Sequence, residues 1–236
     1  MKDYILSIDQ GTTSTRVIIF NKNFNFQSSS QKEFKQIFPR DGEVEHDPEE
    51  IYQSVLFTAK EAIRKAKIKS SQIRSIGITN QRETTVLWDK SNGKPVYNAI
   101  VWQDRRTIKF CKSLVQKGFA KKIQKTTGLI VDSYFSASKI HWLLNNSKKA
   151  KELLKKDKLL FGTIDTWLLW KLTDGQSHYT EATNASRTML FDIKKNQWSK
   201  EMLQIFKVPE KILPIVKDSA DDFGHTTKFG SKIPIQ

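Results

Sequence analysis

Cysteine is nearly absent: Cys111 stands alone among 236 residues. No internal disulfide can form, and the sequence fits a reducing compartment. Long apolar runs are missing too. No stretch approaches the ~18 apolar residues of a membrane span, and Met1-Lys2-Asp3-Tyr4 passes straight into a strand-like run rather than a signal peptide. These absences lead us to expect a cytoplasmic protein without a membrane span. There is no Gly-Lys-Thr ending of a Walker loop and no G-x-G-x-x-G run after a strand. His46, His141, His178 and His225 share no spacing with cysteines or carboxylates that would mark a zinc site. Internal repeats, low-complexity tracts and linkers are also missing. Negative charge is scarce: 40 Lys and Arg face 25 Asp and Glu, a formal charge of +15. The excess is mostly scattered lysine. Its densest run, Lys148 to Lys158, interleaves Leu153 and Leu154 at helical spacing, as a solvated helix does. No aromatic and basic cluster accompanies it, so nucleic acid is not an expected partner.

What is present begins with a turn. Asp9-Gln10-Gly11-Thr12-Thr13-Ser14 lies between two short β-branched runs, Tyr4 to Ile8 and Arg16 to Phe20, which read as a hairpin. Gly11 lets an anion approach the backbone, and the Thr12, Thr13 and Ser14 hydroxyls and amides can donate to phosphate oxygens. Asp9 repels phosphate, which suggests a Mg²⁺ bridging to phosphate oxygens directly or through water. An ordinary polar hairpin loop has the same composition, and both readings stand at this level.

Asn21-Lys22-Asn23 reads as a turn and Phe24 to Ser30 as a third strand. A helix starts at Asp47 as N-cap, with Pro48 at its first position and Glu50 completing a capping box; Ile51, Val55, Ala59, Ala62, Ile63 and Ala66 share a face. Ile73 to Ile78, Thr84 to Trp88 and Ile100 to Trp102 read as strands, with Asp104 opening a further helix. Helices follow over Ser136 to Asn145, Ala150 to Lys155 and Thr163 to Leu172. The tail from Lys217 is weakly patterned, with no closing element. Opening strands followed by strand-helix alternation predict an α/β fold with a mixed sheet.

Arg82 and Glu83 sit between two strands. Neighbouring strand residues point to opposite faces, so the two serve one ligand only if the chain turns there. A guanidinium donates and a carboxylate accepts, which suits the hydroxyls of a small polyol; a surface ion pair is the alternative. Trp102 and Tyr134 can wall such a pocket or simply pack in the core. Asn184-Ala185-Ser186 matches a glycosylation acceptor, which carries no meaning in a cytoplasmic protein.

Four long runs occur in order: Ser7 to Ser14, Gly77 to Thr85, Tyr97 to Thr107 and Thr183 to Phe191, with Tyr134 to Leu143 fitting a further signature. On these the chain resembles the FGGY carbohydrate kinase family, most closely its glycerol-phosphorylating members. The resemblance implies an actin/hexokinase-like (ribonuclease H-like) fold with helices flanking the mixed sheet. It also implies transfer of the ATP γ-phosphoryl group to glycerol, giving sn-glycerol 3-phosphate. By position, Thr12, Thr13, Ser14 and Arg16 contact the nucleotide, and Asp9 lies by Mg²⁺. Arg82, Glu83, Trp102 and Tyr134 form the glycerol pocket, the Arg82-Glu83 pair favouring glycerol over ketoses and aldonates.

Residues 1–236 then correspond to the N-terminal, glycerol- and phosphate-binding domain. In the family, the segment matching Ile233 to Ile235 runs on into a Gly-Asp-Gln turn, whose aspartate is the general base, and then into a nucleotide domain. The expectation is no catalytic residue within the chain, a C-terminal kinase domain in cis or trans, and oligomeric state left open. A truncated glycerol-binding remnant, or a kinase for another small polyol or sugar, is the alternative. Asp165 is the best remaining acid but reads as a structural residue of a helix N-terminus. Glu43 stands where many relatives have tryptophan. Thr226 to Lys232 is shorter and poorer in glycine than the anion-binding loop of some relatives and lacks its arginine, so sugar-bisphosphate control is not implied.

Overall fold

The computed structural model describes residues 3–236. Three strands open the chain: β1 (Tyr4–Gln10), β2 (Ser14–Asn21) and β3 (Phe26–Glu33). β1 and β2 pair antiparallel with Asp9 opposite Arg16, so the expected hairpin forms around Gly11 to Thr13. β3 starts later than the sequence suggests. The Asn21 side chain accepts from the N–H groups of Asn23 and Asn25, and Phe24 takes a left-handed φ of 58°, which lengthens the turn.

A short strand, β4 (Glu45–His46), precedes α1 (Pro48–Lys65). Asp47 caps α1 by accepting from Glu49 N–H at 2.8 Å. The expected capping box does not close, because Glu50 accepts from Lys35 N–H instead. Ile51, Val55, Ala59 and Ala62 of α1 bury against Leu6, Ile8, Val17 and Ile19 of the sheet. Each large aliphatic buried here contributes roughly 1.5–3 kcal/mol. Two buried hydroxyl contacts register the helix on the sheet: Thr15 with Ser54 at 2.6 Å, and Ser28 to the Ala62 carbonyl at 2.7 Å.

Next come β5 (Ile73–Asn80), β6 (Val86–Asp89) and β7 (Ala99–Ile100). β5 runs parallel to β1, giving the order β3-β2-β1-β5 and the mixed sheet the sequence predicts. Asp104 opens no helix. Its carboxylate accepts from Val44 N–H and from Arg106, and the helix waits until Ile108. From there run α2 (Ile108–Gln116), α3 (Ala120–Thr127), α4 (Ser136–Asn146), α5 (Lys148–Lys155), β8 (Leu159–Gly162) and α6 (Ile164–Leu172). β8 pairs antiparallel with β6. Ile140, Leu143, Leu153 and Phe161 from this region join a second apolar cluster, beside the one under the sheet.

The remaining elements are β9 (Tyr179–Glu181), α7 (Ala182–Ala185), β10 (Phe191–Asp192), β11 (Gln197–Trp198), α8 (Lys200–Phe206), β12 (Ile215–Lys217), β13 (His225–Thr226) and β14 (Ile233–Pro234). The tail does contribute a closing element, contrary to expectation. Ile233 and Ile235 are buried, Ile235 bridges in parallel to Ile76, and Gln236 N–H donates to the Ile76 carbonyl at 3.0 Å. Residues one and two apart along so short a segment carry too little periodicity to announce this from sequence.

Candidate active site

The turn after β1 is held from behind. Gly11 N–H donates to Ser14 O at 2.9 Å. The carbonyls of Gly11, Thr12 and Thr13 accept in turn from Gln10 Nε2 (2.7 Å), Gln36 Nε2 (3.2 Å) and Phe34 N–H (3.3 Å). With its carbonyls engaged, the turn offers amides and hydroxyls to an anion. Thr13 is exposed, while Thr12 and Ser14 are half-buried; Ser14 Oγ accepts from Gln31. Arg16 is exposed, and Asp9 is half-buried between Arg16 of β2 and Thr79 of β5. The structure thus gathers all five residues expected at the nucleotide side around one end of the hairpin.

A second turn, Gln81 to Thr85, leaves β5 immediately beside the first. Gln81 N–H donates to Gln10 O at 2.6 Å, and its Nε2 reaches Gln10 Oε1 (3.2 Å), Gly11 O (3.3 Å) and His46 Nδ1 (3.3 Å). Gln81 Oε1 accepts from the Thr84 hydroxyl, so Nε2 is the end facing the imidazole. His46 Nδ1 is therefore the acceptor, and Nε2–H donates to Gln36 Oε1 at 2.6 Å. Burial pushes the His46 pKa down to about 4, keeping the ring neutral. Gln36, His46, Gln81 and Gln10 thus tie both turns into one hydrogen-bonded network.

The chain does turn between Arg82 and Glu83: Thr84 N–H donates to Arg82 O at 2.7 Å, and Glu83 takes a left-handed φ of 63°. Arg82 is exposed and Glu83 buried. The two do not pair with each other. Glu83 Oε1 instead accepts from Arg187 Nε at 2.6 Å, and its backbone carbonyl accepts from the hydroxyls of Ser136 (2.9 Å) and Thr85 (3.2 Å).

Trp102 lies two residues past β7 rather than within a strand. Its indole N–H donates to Thr12 Oγ1 at 3.0 Å, joining the expected polyol wall to the turn after β1 and leaving the Thr12 proton free to donate. Its ring centroid stands 5.2 Å from that of Tyr134. Tyr134 is held in turn by Lys139, a fully buried lysine whose amine donates to the carbonyls of Ser133 (2.5 Å), Tyr134 (2.6 Å) and Phe135 (3.3 Å). Burial lowers the Lys139 pKa to about 7. A cavity of about 340 Å³ opens beside the aromatic pair, lined also by Gln103, Arg105 and Asp132.

Asp165 lies elsewhere. It is enclosed at the start of α6, where the hydroxyls of Thr163 and Thr180 donate to it, and burial raises its pKa. This fits the structural role expected of it. No group of three or more histidines, cysteines or carboxylates that could hold a metal ion occurs among the described residues. Asp9 is a lone carboxylate, which suits a Mg²⁺ that takes most of its ligands from phosphate and water.

Sequence reasoning gave no role to Arg187, Lys139, His46 or Gln81. Arg187 sits inside the Thr183 to Phe191 run, and Lys139 breaks the apolar face of α4 between Ala137 and Ile140; both were visible anomalies.

The mixed sheet of order β3-β2-β1-β5 with helices packed on it, and two hydrogen-bonded turns side by side at its end, has the architecture of the actin/hexokinase-like fold. Residues 4–233 match the FGGY family of carbohydrate kinases, N-terminal domain, and the chain belongs to that family. It is 56% identical over 237 aligned residues to a glycerol kinase of Rhizobium meliloti, covering 100% of this chain and 48% of that protein. It is 53% identical to glycerol kinase 2 of Thermotoga maritima, covering 98% and 47%. The crystal structure of Plasmodium falciparum glycerol kinase with ADP superimposes with a TM-score of 0.93 at 38% identity, covering 99% of this chain and 47% of that one. The chain spans about half the length of the relatives it matches.

Proposed function

We propose that this chain is the glycerol- and phosphate-binding half of a kinase that transfers the ATP γ-phosphoryl group to a terminal hydroxyl of glycerol, giving sn-glycerol 3-phosphate. The observation that carries this reading is the Trp102 to Thr12 hydrogen bond, which sets a polyol wall directly against a phosphate-type turn. The 51–56% identity to proteins named glycerol kinase selects glycerol among the family's substrates.

Thr12, Thr13 and Ser14 donate to phosphate oxygens, and Arg16 adds positive charge beside them. Asp9 would hold a Mg²⁺ ion, directly or through water, and the cation would supply charge neutralisation on the phosphates. Glu83 accepts from one glycerol hydroxyl while Arg82 donates to another, and Trp102 and Tyr134 cover the carbon backbone. Holding the hydroxyl against the phosphoryl group supplies most of the acceleration such a site achieves. The resemblance to the family implies that the proton acceptor for the reacting hydroxyl is the aspartate of a Gly-Asp-Gln turn in a second domain, supplied in cis or trans.

Calorimetric titration of the chain with glycerol tests the pocket: binding is expected, and Arg82→Ala is expected to abolish it. Unchanged binding by that variant overturns the assignment. ATP-dependent formation of glycerol 3-phosphate, with the second half of a relative added, tests the chemistry. No product from the two halves together rejects the kinase and leaves a binding module.

A further inference from the structure

Glu83 is a buried acid on a left-handed backbone, a conformation that costs a residue with a Cβ about 1–3 kcal/mol and persists only where its surroundings hold it. Arg187 supplies much of that hold. Its Nε–H bond to Glu83 Oε1, at 2.6 Å, has the length of a charge-assisted bond and spans 104 residues of sequence. The same guanidinium lies 4.9 Å over the Phe135 ring and 5.7 Å over that of Tyr134. It therefore touches both the carboxylate and the aromatic wall of the pocket. No other protein group donates to the Glu83 carboxylate among the described residues, so Oε2 is left as the free acceptor.

We propose that Arg187 is a positioning residue for the glycerol site. It fixes the Glu83 carboxylate so that Oε1 is consumed and Oε2 alone meets a substrate hydroxyl, and it sets the Tyr134–Phe135 segment at the matching height. This rests on the glycerol reading above. A lysine substitutes only in part, because its amine can meet the carboxylate but lacks the planar face that stacks on Phe135.

The test is a double-mutant cycle on the full chain, with Arg187→Gln, Glu83→Gln and the double variant. Each protein is titrated calorimetrically with glycerol and unfolded thermally without ligand. Arg187→Gln is expected to weaken glycerol binding about 30-fold, but by less than about 3-fold when Glu83→Gln is already present, since its effect passes through the carboxylate. Arg187→Lys is expected to recover only part of the loss. Where the Glu83→Gln titration is too weak to read, the unfolding midpoints carry the same cycle, and non-additive shifts support the proposal. Equal losses on both backgrounds overturn it and make Arg187 a direct contact of glycerol. Full-strength binding by Arg187→Gln overturns it while sparing the glycerol reading. A wild-type chain that does not bind glycerol overturns both.

Discussion

The two turns of the site lie side by side, yet they are built on opposite plans. In the Gly11 to Ser14 turn the backbone carbonyls are pinned, while among the described residues Asp9 and Arg16 form no ion pair and the Thr13 hydroxyl has no partner. In the Gln81 to Thr85 turn the key side chain is itself committed: Glu83 is buried, ion-paired to Arg187 and bonded through its carbonyl to Ser136. A phosphate arrives with its own charge and solvation and needs donors left free. A neutral polyol contributes little binding energy, so its acceptor must be oriented before it comes. The contrast predicts that mutations in the second turn disturb folding, whereas mutations in the first disturb ligand binding alone.

Glu83→Ala gives the largest expected effect. It leaves the half-buried Arg187 guanidinium without its carboxylate, and loss of the buried partner from such a pair costs about 3 kcal/mol. Urea unfolding measures this; a loss below about 1 kcal/mol would erase the distinction between the turns. Acid should act next, on the network joining them. The folded state holds His46 neutral, with its pKa near 4 rather than 6.5, so the unfolded chain binds the proton first as pH falls. Stability from this group is complete above pH 6.5, declines down to about pH 4 and is level below it, a total on the order of 3 kcal/mol. In His46→Gln, which keeps an amide in the network, the unfolding free energy should lose that part of its slope. An identical pH dependence in both proteins would remove His46 from the account.

How much of this was legible beforehand follows from separation along the chain. The hairpin and α1 announce themselves through alternation, a capping aspartate and an N1 proline, all within a few residues. The phosphate turn is equally local. β8 escaped because Leu159 to Phe161 are only three apolar residues, too few to show a strand period before Gly162 and Thr163 lead into α6. Asp104 has the composition of a helix cap but spends its carboxylate on Val44 and Arg106, a choice made by tertiary contact. The Glu83–Arg187 pair joins residues 104 apart, and no local pattern reports it. Arg82 and Glu83 were singled out with a mutual ion pair as one reading; the two do not pair, and Glu83 bonds to Arg187 instead.

Trp102→Phe examines the bond from the Trp102 indole to Thr12 in the turn after β1. The ring and its contact with Tyr134 are largely retained, while Thr12 Oγ1 loses its indole donor. The expected cost is about 1 kcal/mol in unfolding, with a comparable weakening of coupling between glycerol and nucleotide in paired titrations. If glycerol affinity responds to nucleotide as it does in the wild type, the bond is incidental to communication between the turns.

The smallest expected effect is the sharpest check on the first turn. Thr13 is exposed, and its hydroxyl has no partner among the described residues; only its backbone carbonyl is engaged, by Phe34 N–H. Thr13→Ala removes the hydroxyl and leaves that carbonyl in place, so unfolding should change by less than about 0.5 kcal/mol, the range of ordinary surface substitutions. Nucleotide binding should nevertheless weaken, because a charge-assisted donor to phosphate is worth about 1.5–3 kcal/mol. A stability loss of the Glu83 kind would mean that the hydroxyl is structural after all. Unaltered stability with unaltered nucleotide affinity would instead confine phosphate recognition to the backbone amides of the turn, with Thr12 and Ser14 its remaining hydroxyl donors.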